Sequence, residues 1–275
     1  MIKFSILTSI YKSEKFLNSY FKTISNQKYK PDEIVLIDDT RNPKNLKKIL
    51  IYYKKKYKFK KIVLIKNKVN LGPAISLNKG LKKTKNDLIF RLDVDDMWQK
   101  NHISSMLYNY RQNKNCLLYA VSIKNSNLRN LIKCDDYFIN ENHTLHSSWL
   151  INRGINKSFS YKLENPVIAL EDYATIIYYI KKNFKLNLTN KNTVIYNFSN
   201  PFSHGKRFSK NSLFVQKKKD FARTQFKFYS KKFRISKFDT LNQINFIIFK
   251  FGIIKFFVYI FWTLDLIRLK SLFNR

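Results

Sequence analysis

Four short apolar runs in the first third of the chain alternate with stretches in which apolar residues recur every three or four positions. The runs are rich in β-branched residues and predict strands at 1–8, 33–37, 62–65 and 88–92. The intervening stretches predict helices at about 16–24, 45–56 and 74–81. Ser13 is a candidate N-cap for the first helix. Strands of this kind alternating with helices are typical of a mostly parallel sheet covered by helices, so we expect an α/β fold.

Carboxylates follow two of the predicted strands. Asp38 and Asp39 end the second strand, and Asp93, Asp95 and Asp96 follow the fourth. Ligands of parallel sheets bind beyond the carboxyl ends of the strands. Carboxylates spaced as in the second group can converge on a hard cation such as Mn²⁺ or Mg²⁺, or they can form a solvated acidic loop. The first pair can accept hydrogen bonds from a nucleobase or ribose, or can cap the following turn.

A third acidic pair, Glu171 and Asp172, opens a helical run at 173–180. Acids at this position stabilise a helix N-terminus, but a partly buried carboxylate can also serve as a general base for an acceptor hydroxyl. His146, His204 and Arg207 are weaker candidates for an acceptor or diphosphate site, since a lone histidine is more often structural.

The composition is strongly basic, because 53 Lys and Arg residues against 18 Asp and Glu residues give the 275-residue chain a formal net charge of +35. A hydrophobic content of 44% excludes a disordered basic tail. The charge suits nucleic acid, an anionic membrane surface or a phosphate-rich substrate, unless AT-rich codon usage accounts for it. Neither GxGxxG nor a P-loop motif occurs. Cys116 and Cys134 form no close pair, which favours a reducing compartment.

The C-terminal part of the chain has a different pattern. It is basic from Lys217 and becomes apolar at 244–267, where Lys250, Lys255 and Asp265 interrupt the run. Charges at such positions disfavour a spanning helix. We therefore expect a basic, aromatic helical segment in the membrane interface, with a helical hairpin packed on protein as the alternative.

Five short motifs in register resemble the family 2 glycosyltransferases of the GT-A fold. They are Phe4-Ser5-Ile6-Leu7-Thr8-Ser9-Ile10-Tyr11, Ser25-Asn26-Gln27-Lys28-Tyr29, Asp32-Glu33-Ile34-Val35-Leu36-Ile37-Asp38-Asp39, Asn70-Leu71-Gly72-Pro73-Ala74 and Arg91-Leu92-Asp93-Val94-Asp95-Asp96. The resemblance implies a Rossmann-like, mostly parallel sheet flanked by helices. It also implies a catalytic domain at 1–212, with a nucleotide-sugar half at 1–98 and an acceptor half at 99–212. Residues 213–275 then form a helical extension.

The resemblance also implies roles for individual residues. Asp172 is the expected catalytic base, with Glu171 supporting it or sharing the role. Asp93 with Asp95 or Asp96 would hold Mn²⁺ or Mg²⁺, and which of the latter two is the closer ligand stays open. The residues expected to bind the nucleotide-sugar are Thr8, Ser9, Tyr11, Glu14, Asp38, Asp39, Asn70, Gly72, Arg91 and Asp93.

The reaction implied by the resemblance is an inverting transfer of one sugar, with UDP as the default nucleotide of the donor. A processive synthase is not expected, because the QxxRW motif is absent. The expected acceptor is a glycan or lipid-linked glycan of a cell-surface polysaccharide, met at the cytoplasmic face of an anionic membrane. The alternatives are a non-catalytic family member or a basic nucleic-acid-binding protein. We expect no nucleic-acid partner, since the acids at Asp93, Asp95 and Asp96 would repel a phosphate backbone.

Overall fold

A computed structural model describes residues 2–40, 46–122, 144–162, 171–189 and 191–197, apart from the side chains of Ile177 and Lys181. His204, Arg207, Cys134 and the expected extension at 213–275 lie outside the described residues. The division into 1–212 and 213–275 therefore stays a prediction. Within the described ranges, no helix has the length and apolar character needed to cross a membrane.

Nine strands and five α-helices make up this part of the chain. The strands are β1 (Phe4–Ile10), β2 (Glu33–Asp38), β3 (Ile62–Lys66), β4 (Leu88–Arg91), β5 (Met97–Trp98), β6 (Leu118–Val121), β7 (Leu150–Asn152), β8 (Leu186–Thr189) and β9 (Val194–Ile195). The helices are α1 (Leu17–Ser25), α2 (Leu46–Lys56), α3 (Pro73–Leu81), α4 (His102–Gln112) and α5 (Glu171–Lys181). Short 3₁₀ turns precede α1 at Glu14–Phe16 and β7 at His146–Ser148.

Seven of these strands form one sheet in the order β3-β2-β1-β4-β7-β6-β8. All of them run in the same direction except β7, which is antiparallel to β4 and to β6. The predicted mostly parallel sheet is confirmed. Because β7 runs the opposite way, the 3₁₀ turn that precedes it lies at the edge where the parallel strands end. The short strands β5 and β9 pair separately.

Two hydrophobic cores pack on opposite faces of the sheet. One contains apolar residues of α1, α2 and α4, and the other contains apolar residues of α3 and α5. In the second core, Gly80 allows α3 to approach the sheet closely, since a Cβ at this position would collide with Leu7 and Ile37. This close packing holds α3 against β1 and β2.

Two helix starts differ from the sequence-based expectation. Ser13 does not cap α1, because its hydroxyl donates to the carbonyl of Tyr11 (3.0 Å) and a 3₁₀ turn precedes the helix. The helix expected at 173–180 begins at Glu171, so both acids of the pair belong to its first turn. Helix α3 begins as its sequence suggests, with Gly72 at a positive φ of 77° followed by Pro73 in the first turn.

Candidate active site

The acidic residues predicted from the sequence gather at one edge of the sheet. Asp38 ends β2, and Asp93 follows β4, whose direction is the same. The turn at His146–Ser148 and the N-terminus of α5 bring further polar groups to the second of these acids. The edge therefore carries two acidic regions, one beyond β2 and one beyond β4.

Neutral amide groups hold Asp39 in the region beyond β2. Its Oδ1 atom accepts hydrogen bonds from Nδ2 of Asn67 (2.9 Å) and from the backbone N–H of Leu71 (2.8 Å). Lys79 donates in turn to Oδ1 of Asn67 (2.9 Å). Asp39 thus ties the end of β2 to the loop before α3, where the Asn70 side chain accepts the N–H of Gly72 (2.9 Å).

Asp38 uses only one of its two carboxylate oxygens in hydrogen bonds within the described residues. Its Oδ1 atom accepts the N–H of Thr40 (3.0 Å), whereas Oδ2 is buried and has no hydrogen-bond partner among the described residues. Burial raises the pKa of Asp38, and hydrogen bonds from Thr40 oppose the shift. An unpaired buried acceptor is costly unless a ligand or water satisfies it.

The site residues predicted on β1 and directly after it occupy two environments. The Thr8 hydroxyl is buried, donates to the carbonyl of Leu92 (2.7 Å) and contacts the Tyr20 hydroxyl (2.8 Å). This side chain joins β1 to the loop that carries Asp93. Ser9, Tyr11 and Glu14 are half-buried near the carboxyl end of the strand.

A buried arginine lies beneath the acidic turn beyond β4. Arg91 has a side chain that is 1% exposed, and it donates to the carboxylate of Asp93 and to the carbonyl of Leu92. Burial is the largest single influence and opposes the charge of Arg91, but Asp93 and other neighbouring groups together raise the pKa of the guanidinium above its usual value. Burial likewise opposes the charge of Asp93, but the charge of Arg91, together with hydrogen bonds from Arg91 and Ser147, lowers its pKa below the usual value. The pair is therefore charged.

Ser147 connects the carboxylates of the acidic turn. Its Oγ atom accepts the N–H of Asp93 (3.1 Å), lies 3.0 Å from Oδ2 of Asp93 and contacts Oδ2 of Asp96. The other oxygen of Asp96 accepts the N–H of Asn197 (2.9 Å), and Trp98 donates to the Ser147 carbonyl (2.6 Å). Burial, followed by the charge of Asp93, raises the pKa of Asp96 to about 7. Both oxygens of Asp96 are thus engaged by the protein.

Glu171, at the start of α5, approaches the same region through His146. The Nδ1 atom of His146 lies 3.9 Å from Oε1 of Glu171, and its Nε2 atom lies 3.4 Å from the Tyr161 hydroxyl. Burial, followed by Arg91, lowers the pKa of His146 to about 3, so the imidazole is neutral. Burial, followed by Asp172, raises the pKa of Glu171 to about 8. At pH 7 the contact is therefore not an ion pair.

The two acids of α5 differ in accessibility. Glu171 is 8% exposed, and its Oε2 atom is buried without a hydrogen-bond partner in the part of the chain described. Asp172 is half-buried, and its Oδ1 atom accepts the backbone N–H of Tyr173 (2.7 Å). Asp172 is thus the more accessible carboxylate of the pair.

The structure places the predicted site residues in two connected groups. Asp38, Asp39, Asn70 and Gly72 belong to the region beyond β2. Arg91, Asp93, Asp96, His146 and Glu171 belong to the region beyond β4. Sequence reasoning missed Asn67, Tyr161, Asn197 and the hydroxyl of Ser147. No local signal identifies Ser147, because it is 54 residues from Asp93 in the sequence.

The acidic turn has the ligand chemistry for a hard divalent cation, such as Mg²⁺ or Mn²⁺, whose coordination is completed by other oxygen donors. Within the described ranges, no three His, Cys, Asp or Glu side chains are grouped closely enough to form a complete metal cage. A hard cation that binds a nucleotide needs only one or two carboxylates, since waters and phosphate oxygens complete its coordination. The half-buried carboxylates of Asp93 and Asp95 supply such oxygens.

A family profile described as glycosyl transferase family 2 matches residues 5–168, which is more than half of the chain. The match includes the acids at 38–39 and 93–96, whereas Glu171 and Asp172 lie just beyond it. The chain belongs to this family. An uncharacterized glycosyltransferase of Methanocaldococcus jannaschii is 25% identical over 76% of this chain and 75% of its own length. The UDP-Gal:alpha-D-GlcNAc-diphosphoundecaprenol beta-1,3-galactosyltransferase of Escherichia coli is 31% identical over 38% of each chain.

The fold agrees with this assignment. The mannosyltransferase PcManGT of Pyrobaculum calidifontis, solved with GDP-Man and Mn²⁺, superposes with a TM-score of 0.58 at 11% identity. The superposition covers 75% of this chain and 60% of that structure. This family 2 glycosyltransferase therefore has the predicted GT-A-like fold. The predicted enzyme class, a glycosyltransferase, is confirmed by the family match.

Proposed function

We propose that this family 2 glycosyltransferase moves a single sugar, with inversion at the anomeric carbon, from a nucleotide-sugar to a hydroxyl of a glycan or lipid-linked glycan. The observation that supports this proposal is the convergence of the acidic turn and the α5 acids around Arg91, Asp93 and His146. The acidic turn carries negative charge suited to a cation, which would in turn bind the diphosphate. The α5 acids supply a base for the incoming hydroxyl.

The region beyond β2 is proposed to bind the nucleoside. The unpaired Oδ2 atom of Asp38 is an acceptor for a base or ribose donor, and the bonds of Asp39 to Asn67 and Leu71 keep this end of the sheet in place. Ser9 at the end of β1 is proposed to line the same pocket, together with Tyr11 and Glu14 of the segment that follows the strand. UDP remains the default nucleotide, in line with the name of the Escherichia coli relative.

Asp93 and Asp95 are proposed to hold a divalent cation. Asp96 is a weaker candidate, because its side chain is buried and its pKa is raised to about 7, whereas Asp93 and Asp95 are half-buried. A cation held here would neutralise the negative charge of the departing diphosphate. Mn²⁺ accompanies the sugar nucleotide in the structure of the Pyrobaculum enzyme, which supports this choice.

Asp172 is proposed as the general base. Glu171 is largely protonated at pH 7 because its pKa is about 8, so it cannot accept the proton efficiently at that pH. Asp172 takes the hydroxyl proton, the acceptor oxygen forms a bond to the anomeric carbon, and the bond from that carbon to the diphosphate oxygen breaks. Neutral His146 and Glu171 support the start of α5 without adding charge near the diphosphate.

We further propose that the acceptor is carried on a polyprenyl diphosphate for a surface polysaccharide, as the acceptor named for the Escherichia coli relative is a diphosphoundecaprenol. The basic and aromatic residues at 213–275 would hold the enzyme at the inner face of the cytoplasmic membrane, where such lipids are used.

Donor binding and turnover test the proposal. UDP-, GDP- and dTDP-sugars are screened with Mn²⁺, with and without EDTA, on wild type, Asp95→Asn and Asp172→Asn. One donor should bind only with metal. Asp95→Asn should lose that binding, whereas Asp172→Asn should retain it and lose about 10²–10⁴-fold in transfer rate. The control is Asp87→Asn, which removes an exposed acid paired with Lys157. Metal-independent binding that survives Asp95→Asn would contradict the assignment.

A further inference from the structure

Helix α2 presents an outward face that combines lysines with apolar side chains. Its inward positions, Leu46 and Leu50, are buried against the sheet. The outward positions form two rows at a spacing of four residues. The rows are Lys47, Ile51 and Lys55, and Lys48, Tyr52 and Lys56. Residues four apart lie next to each other on a helix, so each row places one apolar side chain between two cations.

The apolar members of this face are well exposed. Ile51 is 49% exposed and Tyr52 is 56% exposed, and Lys56 Nζ lies 5.5 Å from the centre of the Tyr52 ring. No acidic residue occurs anywhere in α2, and Lys54 adds a further exposed cation. The ion pairs of Asp32 and Glu33 go to Lys60 and Lys61, which follow α2 in the sequence, and not to lysines of the helix.

We propose that this α2 face, defined by Lys47, Lys48, Ile51, Tyr52, Lys55 and Lys56, binds the surface of an anionic lipid bilayer. Lysines bind lipid phosphates while their methylene chains lie along the interface, and Ile51 and Tyr52 enter the headgroup layer. The charge of the face complements that of an acidic leaflet. The surface lies within the family 2 domain, so it is separate from the membrane attachment proposed for residues 213–275.

Nucleic acid is the competing partner for a basic aromatic surface, but the pattern favours lipid. Single-stranded nucleic acids require aromatic rings on which bases stack in succession. On the outward rows of α2 there is one ring, that of Tyr52, and the matching position of the other row is the aliphatic Ile51. An aliphatic side chain gains from insertion into a bilayer and offers nothing for base stacking.

Co-sedimentation of the full chain with vesicles tests the proposal. The charge variant is K47Q/K48Q/K55Q, and its matched control is K82Q/K83Q/K85Q, which removes three exposed lysines following α3. The vesicles are pure phosphatidylcholine or a mixture with phosphatidylglycerol. We expect the α2 variant to bind the anionic vesicles about tenfold or more weakly than wild type, since each interfacial lysine contributes substantially. The control should change by less than about threefold, which is the effect of net charge alone.

A second variant, I51S/Y52S, separates insertion from electrostatics. Both side chains are about half exposed, so folding should be retained, and binding should fall several-fold even where salt has weakened the charge contribution. The assay contains no donor or acceptor, so its outcome does not depend on the proposed transferase reaction. Equal losses in the two lysine variants would overturn the proposal, as would unchanged vesicle binding together with loss of RNA binding in the α2 variant.

Discussion

Asp39, in the region beyond β2, is held by the side-chain amide of Asn67 and the backbone N–H of Leu71, whereas Asp93, in the region beyond β4, is held by the buried guanidinium of Arg91. Both acids follow parallel strands and lie at the same edge of one sheet. Their partners differ in charge, so the contribution of each acid to the free energy of unfolding differs as well. An acid held by neutral donors serves only as a hydrogen-bond acceptor. An acid held by a buried cation also supplies the negative charge that the cation needs in the folded state.

The difference teaches how one sheet edge can serve two halves of a substrate. The region beyond β2 offers hydrogen-bond acceptors and keeps an unpaired oxygen on Asp38, which suits an uncharged nucleoside. The region beyond β4 sets positive Arg91 beneath acidic residues, which fits a cation and a diphosphate. The two regions are therefore proposed to bind different parts of the substrate because the partners of their acids differ, although both regions carry the same type of acid.

The largest expected effect is a difference in stability between two single variants, each of which removes one carboxylate charge from one of the two regions. Asp93→Asn leaves the buried Arg91 without its counter-charge. Since Asp93 itself is half-buried, we expect a loss of about 3 kcal/mol in free energy of unfolding, the lower end of the cost of removing one partner of a buried pair. Asp39→Asn keeps an amide oxygen for its two donors and should cost about 1 kcal/mol. Urea unfolding of both variants measures the difference. Equal losses would remove the distinction between the two regions.

A smaller expected effect concerns the protonation of Glu171. Its pKa of about 8 in the folded state exceeds the ordinary value of 4.5, so its contribution to stability is full below about pH 4.5 and is lost as the pH rises to about 8. Glu171→Gln should remove this pH dependence and raise the Tm at pH 8.5 relative to wild type. Thermal unfolding at pH 5 and pH 8.5 tests it, and Asp87→Asn, which alters an exposed acid, should behave as wild type. A wild-type slope retained in Glu171→Gln would place the titration elsewhere.

The smallest expected effect sharpens the assignment of the region beyond β4. Ser147→Ala removes the hydroxyl that contacts Asp93 and Asp96 and should cost about 1–3 kcal/mol of stability. Ser148→Ala is the control, because this neighbouring hydroxyl bonds Val121 and Leu145 instead. Titration with the donor identified by the screen should show weaker affinity only in Ser147→Ala. The same loss of affinity in both variants would make the role of Ser147 merely structural.

Local pattern was sufficient to predict the first half of the fold. Strands β1 to β4 and helices α1 to α3 lie close to the predicted ranges, since strand and helix periodicity are properties of neighbouring residues. The acids at 38–39 and 93–96 were placed at strand ends for the same reason. The antiparallel insertion of β7 between β4 and β6 was not foreseen, because the choice of strand partner depends on distant parts of the chain.

The sequence by itself determined the alternation of strands and helices, the strand ends that carry acids, and the motifs of the glycosyltransferase family. Only the tertiary structure decided which partners those acids have. Ser147 reaches Asp93 across 54 residues, and His146 reaches Glu171 because the turn before β7 and the start of α5 come together in the folded chain. The neutral state of Glu171 and the charged state of the Arg91–Asp93 pair depend on burial and on charges brought close by folding, and the order of residues along the chain does not contain that information.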